Sequence, residues 1–147
     1  MNTGTKTEPL VKEVVVNASP SKVWNAITDA SRSKEWFMEQ KGFKPEVGNE
    51  FTMLAVMNGK EFLHLCKVTE VIPEKKLSYT WRYKDIPGNS HVIFDIIPEG
   101  DKTRVKLTHE GLETFPQDNP DYARKNFDAG WTEILQKNLK ALVEKSE

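Results

Sequence analysis

The two ends of this chain constrain its fold more than anything between them. Near the start, Ser19-Pro20-Ser21-Lys22-Val23-Trp24-Asn25-Ala26-Ile27-Thr28-Asp29 carries the marks of a capped helix. Ser19 is placed as N-cap, and Pro20 falls at the first helical position, where its missing N–H costs nothing. Val23, Trp24, Ile27 and Ala30 then recur at three- and four-residue spacing and give the helix one apolar face. Toward the other end, Phe127, Trp131, Ile134, Leu135, Leu139 and Leu142 make a longer stripe at helical spacing, with Lys and Glu opposite. Between the two, turn residues punctuate runs of strand length. An antiparallel meander that begins with small helices and ends in one long amphipathic helix buries itself most simply by laying that helix across the concave face of its sheet.

The punctuation is regular. Asn58-Gly59, Pro73-Glu74, Pro87-Gly88-Asn89 and Pro98-Glu99-Gly100-Asp101 separate expected strands at 51–57, 61–72, 77–84, 91–97 and 103–110, and 10–16 makes a sixth. Asn58-Gly59 is the sharpest turn, because a two-residue type I′ hairpin needs positive φ at both positions. A second short helix is expected after Asp29, with Ser31 as cap and Trp36-Phe37 as anchor. Residues 38–49, with Gly42, Pro45 and Gly48 and no periodicity, read as loop. Asn119 and Pro120 open the last helix, which runs to about Val143. Gly130 inside it costs about 1 kcal/mol relative to Ala, which predicts a close approach of another element to the backbone there.

Alternation assigns faces. Leu77, Tyr79, Trp81 and Tyr83 oppose Ser78, Thr80, Arg82 and Lys84. Val105, Leu107 and His109 oppose Arg104, Lys106 and Thr108, and Val92, Phe94 and Ile96 share a face less cleanly because Ile93 and Ile97 lie opposite. Phe62, His64, Cys66 and Val68 form one face of the long third strand, although Leu63 and Leu65 blur it.

The Ser-Pro-Ser-Lys-Val-Trp-Asn-Ala-Ile-Thr-Asp opening, Trp36, the pair 68–73 and 77–81, the run Thr103-Arg104-Val105-Lys106-Leu107-Thr108-His109-Glu110-Gly111 and the Gly130-Trp131 helix together resemble the START-like (SRPBCC) superfamily. Within it they are similar to the branch named after the activator of heat-shock protein 90 ATPase homologue. The likeness runs from Leu10 to Val143, and it departs from the family's Gly-Gly-x-Phe lead-in to the second strand, which here is Gly48-Asn49-Glu50-Phe51. It implies an α+β helix-grip fold: a curved six-stranded antiparallel sheet, two short N-terminal helices, and a long C-terminal helix across the concave face. It also implies an apolar cavity between sheet and helix. The residues expected to wall that cavity are Phe51, Phe62, Tyr79, Trp81, Tyr83, Phe94, Leu107, Phe127 and Trp131, with His64 and His109 as polar handles.

Other chemistry is thin. The chain has 147 residues, enough for one domain that buries roughly 70% of its unfolded surface; residues 1–9 read as a disordered leader and 10–145 as the domain. With 21 basic and 22 acidic residues of mixed order and a net charge of -1, there is no footprint for nucleic acid or an anionic membrane. No run reaches the ~18 apolar residues of a membrane span, so no stable membrane insertion is expected. The single cysteine, Cys66, rules out an internal disulfide and suits a reducing, cytoplasmic setting. His64 and Cys66 lie two apart on one face but have no second ligand pair, so no metal and no cofactor are expected. His91 reads as solvent-facing, no Gly-x-Ser-x-Gly elbow is present, and a mid-strand thiol is inert.

The expectation is therefore a binding protein that takes a hydrophobic or aromatic small molecule, lipid, polyketide or flavonoid-like, without catalysis. The resemblance raises two alternatives, a polyketide cyclase or hydrolase working in the same cavity and a chaperone ATPase regulator. The namesake activator carries a separate chaperone-binding domain for which this length leaves no room, so strong chaperone stimulation is not expected.

Overall fold

A computed structural model describes residues 8–57, 59–116 and 118–145. Most of the expected leader, and Asn58 of the sharpest turn, lie outside them. The chain opens with strand β1 (Leu10–Val16) and helix α1 (Pro20–Thr28). Ser19 Oγ accepts from the Lys22 N–H at 3.1 Å, so the cap acts as its sequence dictates. Val23, Ala26 and Ile27 are the buried side of α1.

The expected second N-terminal helix is instead a 3-10 turn, Ala30–Glu35, and its cap is Asp29, whose carboxylate accepts from the Ser31 N–H at 3.0 Å and the Ser31 hydroxyl at 2.6 Å. Six residues are too few to offset helix nucleation. Trp36 still serves as the anchor, only 2% exposed.

The sheet has seven strands rather than six. The additional one, β2 (Gln40–Lys41), lies in the stretch read as loop and pairs antiparallel with β3 (Glu50–Met57) through Gln40↔Met53 and Lys41↔Thr52. The others are β4 (Lys60–Ile72), β5 (Lys76–Tyr83), β6 (Ser90–Glu99) and β7 (Lys102–Glu110), and the order across the sheet is β1-β7-β6-β5-β4-β3-β2, antiparallel throughout. Met57 pairs with Lys60 and Gly59 has φ 79°, as a two-residue hairpin requires. One bulge, between Val68 and Glu70, takes Thr69 out of the β4–β5 ladder. The alternating sets of β5 and β7 lie where their pattern puts them: Leu77, Tyr79, Trp81, Tyr83, Val105, Leu107 and His109 are all buried.

The last helix starts later than its first cap signal. Asn119 caps only a 3-10 turn, Pro120–Tyr122, after which Ala123 is extended at φ -74° and ψ 146°. Helix α2 (Arg124–Trp131) follows and passes without a break into a π-helical segment (Thr132–Leu139) and then α3 (Lys140–Val143). Polar side chains along this helix tie down the edge strand β1. Arg124 donates to the Pro9 carbonyl at 3.1 Å, Gln136 to that of Glu13 at 2.8 Å and Lys140 to that of Val15 at 3.3 Å, while Lys12 pairs with Asp128 at 2.5 Å. Carbonyls that would otherwise invite another chain to pair are thereby covered. Trp131 drives into the sheet, 5.7 Å from Trp81 and 6.0 Å from Phe94 between ring centroids.

Candidate functional site

The inner face of the sheet is filled unevenly. Toward one end the rings close on one another, with Phe43 against Phe51 at 4.9 Å, Phe51 against Tyr79 at 5.1 Å and Trp36 edge-on to Phe94 at 6.2 Å. Toward the other, the side chains of β3, β4 and β5 stop short of α2 and leave a cleft of about 700 Å³. That is within the size range of small-molecule pockets, about 300–1,000 Å³.

Ala55, Phe62, His64, Trp81 and Tyr83 form the sheet wall; Phe127, Ala129, Gly130, Trp131 and Ile134 form the helix wall; Met38 closes the side. The rim is polar, made of Lys60, Asp121, Asn126 and Glu133. Across it Lys60 Nζ pairs with Asp121 Oδ2 at 3.1 Å, joining the β3–β4 hairpin to the turn before α2.

Of the residues expected to wall a cavity, Phe62, His64, Trp81, Tyr83, Phe127 and Trp131 come together here. Phe51, Tyr79, Phe94, Leu107 and His109 do not line this cleft; they are buried in the filled part of the core. Alternation fixes which face a residue occupies and says nothing about where along that face a gap is left. Met38, Ala55, Ala129, Ile134 and the rim were not foreseen in the sequence. Gly130 did leave a signal, as a costly residue inside a helix.

His109 is fully buried, and its partners fix its protonation. Trp131 Nε1–H, which can only donate, reaches His109 Nδ1 at 3.0 Å. The proton of the neutral ring is therefore on Nε2, which donates to Ser90 Oγ at 2.8 Å, and the Ser90 hydroxyl in turn donates to the Trp81 carbonyl at 2.7 Å. This chain ties α2 to β7, β6 and β5. Burial, followed by the His64 and His91 charges, pushes the His109 pKa down to about 3. A ring with both nitrogens engaged inside the protein has none left for a guest.

His64 is different. Its Nδ1 must be the protonated nitrogen, because it lies 3.0 Å from the Met53 carbonyl. The other nitrogen is then a lone-pair acceptor on a residue of the cleft wall. Burial takes its pKa down to about 4, against the smaller opposing effect of backbone hydrogen bonds. Burial pushes the Cys66 thiol up to about 12 and raises the Tyr83 phenol. These imidazole, thiol and phenol groups are all neutral at pH 7.

Trp81 places a buried donor, its indole Nε1–H, without a hydrogen-bond partner on this wall; among the described residues Trp36 Nε1 and Gln40 Oε1 are also buried without one, but neither lines the cleft. The Tyr83 hydroxyl lies near enough to feel that N–H without closing a bond of ordinary geometry to it. Native structures seldom leave a buried donor in this state, which costs about 1–3 kcal/mol.

The outer face of the sheet bears a second, more polar hollow of about 600 Å³ that includes Thr69, His91, Glu110 and Glu113. Thr69, freed by the bulge, bonds Ser78 Oγ and His91 Nε2, each at 2.8 Å. Glu110 Oε1 is 3.9 Å from His91 Nδ1, beyond hydrogen-bond reach. No group of three or more His, Cys, Asp or Glu side chains among the described residues could hold a metal ion.

Comparison with known proteins agrees with this architecture. The structure of protein CV1439 from Chromobacterium violaceum superposes with a TM-score of 0.82 at 23% identity, covering 95% of this chain and 99% of that one. Protein MLL2253 from Mesorhizobium loti gives 0.76 at 28% identity, covering 95% and 98%. DynU16, a protein of the dynemicin biosynthetic locus, gives 0.77 at 19% identity over 95% of this chain and 48% of its own. No curated protein matches. Residues 17–144 match the profile of the family described as Activator of Hsp90 ATPase homolog 1-like protein, so this chain, with its START-like helix-grip fold, belongs to that family.

Proposed function

We propose that this protein binds a flat or extended apolar small molecule bearing a hydrogen-bond acceptor, in the cleft between β3–β5 and α2, and releases it unchanged. The observation that carries the reading is the buried, unpartnered Trp81 N–H on the wall of an otherwise apolar cleft. A ligand carbonyl or ring oxygen answers that donor, and a ligand hydroxyl answers the acceptor nitrogen of His64. Aromatic walls such as Phe62, Tyr83 and Trp131 favour a planar or polyketide-like guest by stacking and edge contacts. The neutral wall favours binding over turnover, because a general base works best with a pKa near the operating pH and His64 lies well below it. Affinity near the micromolar level, about -8 kcal/mol, balances apolar burial against lost ligand freedom. DynU16 is a fold neighbour from a biosynthetic locus, which accords with a natural-product-sized guest; its likeness extends to the fold alone.

The test is titration of a fatty-acid, flavonoid and polyketide-like panel, followed by indole N–H NMR shifts and by product analysis. Trp81 and Trp131 should shift and Trp24, on α1, should not. Trp81→Phe keeps most of the ring surface but removes the donor, and should weaken acceptor-bearing ligands about tenfold, or about 1.4 kcal/mol, while sparing hydrocarbon analogues. A panel that leaves Trp81 and Trp131 unmoved sinks the reading. Clean turnover would put the cyclase or hydrolase alternative in its place.

A further inference from the structure

Gly130 stands apart from the other described glycines. Gly42, Gly48, Gly59, Gly88, Gly100 and Gly111 all have positive φ, where a side chain is strained. Two of these are also hemmed in: a Cβ on Gly88 would lie 2.6 Å from the Thr114 carbonyl oxygen, and one on Gly111 would lie 2.9 Å from that of Asn89. Gly130 has ordinary helical backbone within α2, and beyond its two chain neighbours and the backbone of its own helix a Cβ there would meet no atom within 4 Å. The close approach expected from its sequence position is absent. Glycine weakens a helix relative to alanine, and here neither backbone conformation nor packing asks for it. What remains is its place on the helix wall of the cleft, beside Trp131 and across from Trp81.

We infer that Gly130 determines the specificity of the cleft by setting its bore, so that it admits guests with fused or substituted rings that a methyl at this position would hinder and a larger side chain would exclude. This rests on the binding reading above and adds the class of ligand. An unbranched acyl chain needs less width than a ring system, so the two classes separate at this position. The helix gives up stability here, and the space gained is available to the guest alone.

The experiment compares wild type, Gly130→Ala and Gly130→Leu in thermal melts and in titrations with two probes, the flavonol quercetin and hexadecanoate. Gly130→Ala should raise the melting midpoint by about 2–4 °C, weaken quercetin about three- to tenfold and leave hexadecanoate within about twofold. Gly130→Leu should lose quercetin binding altogether. A lower midpoint in Gly130→Ala would mean that packing holds the glycine, and would overturn the inference. So would quercetin binding that both variants leave undiminished, or wild-type binding of hexadecanoate alone. Wild-type protein that binds neither probe overturns the binding reading and this inference with it.

Discussion

Acidification from pH 7 to pH 5 should cost this fold about 4 kcal/mol, and two imidazoles supply the loss. His64 and His109 are 4% and 0% exposed, and their pKa values stand at about 4 and about 3 against 6.5 for an unhindered histidine. Both folded-state values lie below the unfolded one, so as pH drops through 6.5 the unfolded chain takes up protons that the folded protein refuses. Stability is therefore complete above pH 6.5 and drains away toward the folded pKa values. At pH 5 each unfolded ring is about 1.5 units below its pKa, and at about 1.36 kcal/mol per unit each contributes about 2 kcal/mol of loss. This figure depends little on the folded values, because both lie below 5. Against a total stability of about 5–15 kcal/mol the loss is large. The Glu144 carboxyl, held low chiefly by its hydrogen bond to Lys140, loses its contribution only as the pH falls below the usual carboxylate range, outside this interval. Urea unfolding at pH 7, 6 and 5 measures the slope. His109→Gln offers an amide oxygen to the Trp131 N–H and an amide N–H to Ser90, and it should halve the pH dependence. Wild-type stability that agrees within 1 kcal/mol at pH 5 and pH 7, or a Gln variant with the full slope, would refute the buried neutral rings.

Trp131→Ala should cost about 3–5 kcal/mol in denaturant melts, because it empties the centre of the helix–sheet contact and strands His109 Nδ1; a change within 1 kcal/mol would remove its central role. Gly88→Ala should cost about 2–4 kcal/mol, since φ is 115° and the new methyl would lie 2.6 Å from both Phe115 Cδ1 and the Thr114 carbonyl oxygen. A melt unchanged by that substitution would show that the loop between β5 and β6 does not rest on Thr114 and Phe115.

Six of the strands were legible because their residues obey a period of two and their turns carry Gly, Pro and Asn. The strand β2 was not, since two residues have no period, and its place is fixed by tertiary contacts such as the Gln40 N–H donating to Ser33 Oγ at 3.2 Å. Asp29 and Ser31 are both good caps, and sequence alone does not rank them. Nor does it foresee that Ala123 breaks the run between Asn119 and the helix. The π-helical segment left a trace that a helical-stripe reading passes over. Phe127, Trp131, Leu135, Leu139 and Val143 are buried at intervals of four. In an α-helix each four-residue step overshoots a full turn by about 40°, so this row would wind away from the sheet by its end. The i→i+5 bonding of Thr132–Leu139 turns more slowly and brings the row back into line.

The site was legible only in part, and the reason lies in what alternation measures. Tyr79, Trp81 and Tyr83 share a face of β5 and are indistinguishable by pattern. Yet Tyr79 is sealed against Phe51 and Phe94, whereas Trp81 and Tyr83 border the cleft. His64 and His109 look equivalent in sequence as well, and hydrogen bonding separates them: Ser90 and Trp131 occupy both nitrogens of one ring, while Met53 fixes only Nδ1 of the other. Whether a polar group on an inner face holds the core or meets a ligand therefore depends on partners contributed by distant segments. The cue that did survive in one dimension was thermodynamic. Glycine in the middle of an amphipathic helix, where propensity favours almost any other residue, marks out Gly130, but the close approach of another element expected from it is not there: a Cβ would meet open space on the wall of the cleft.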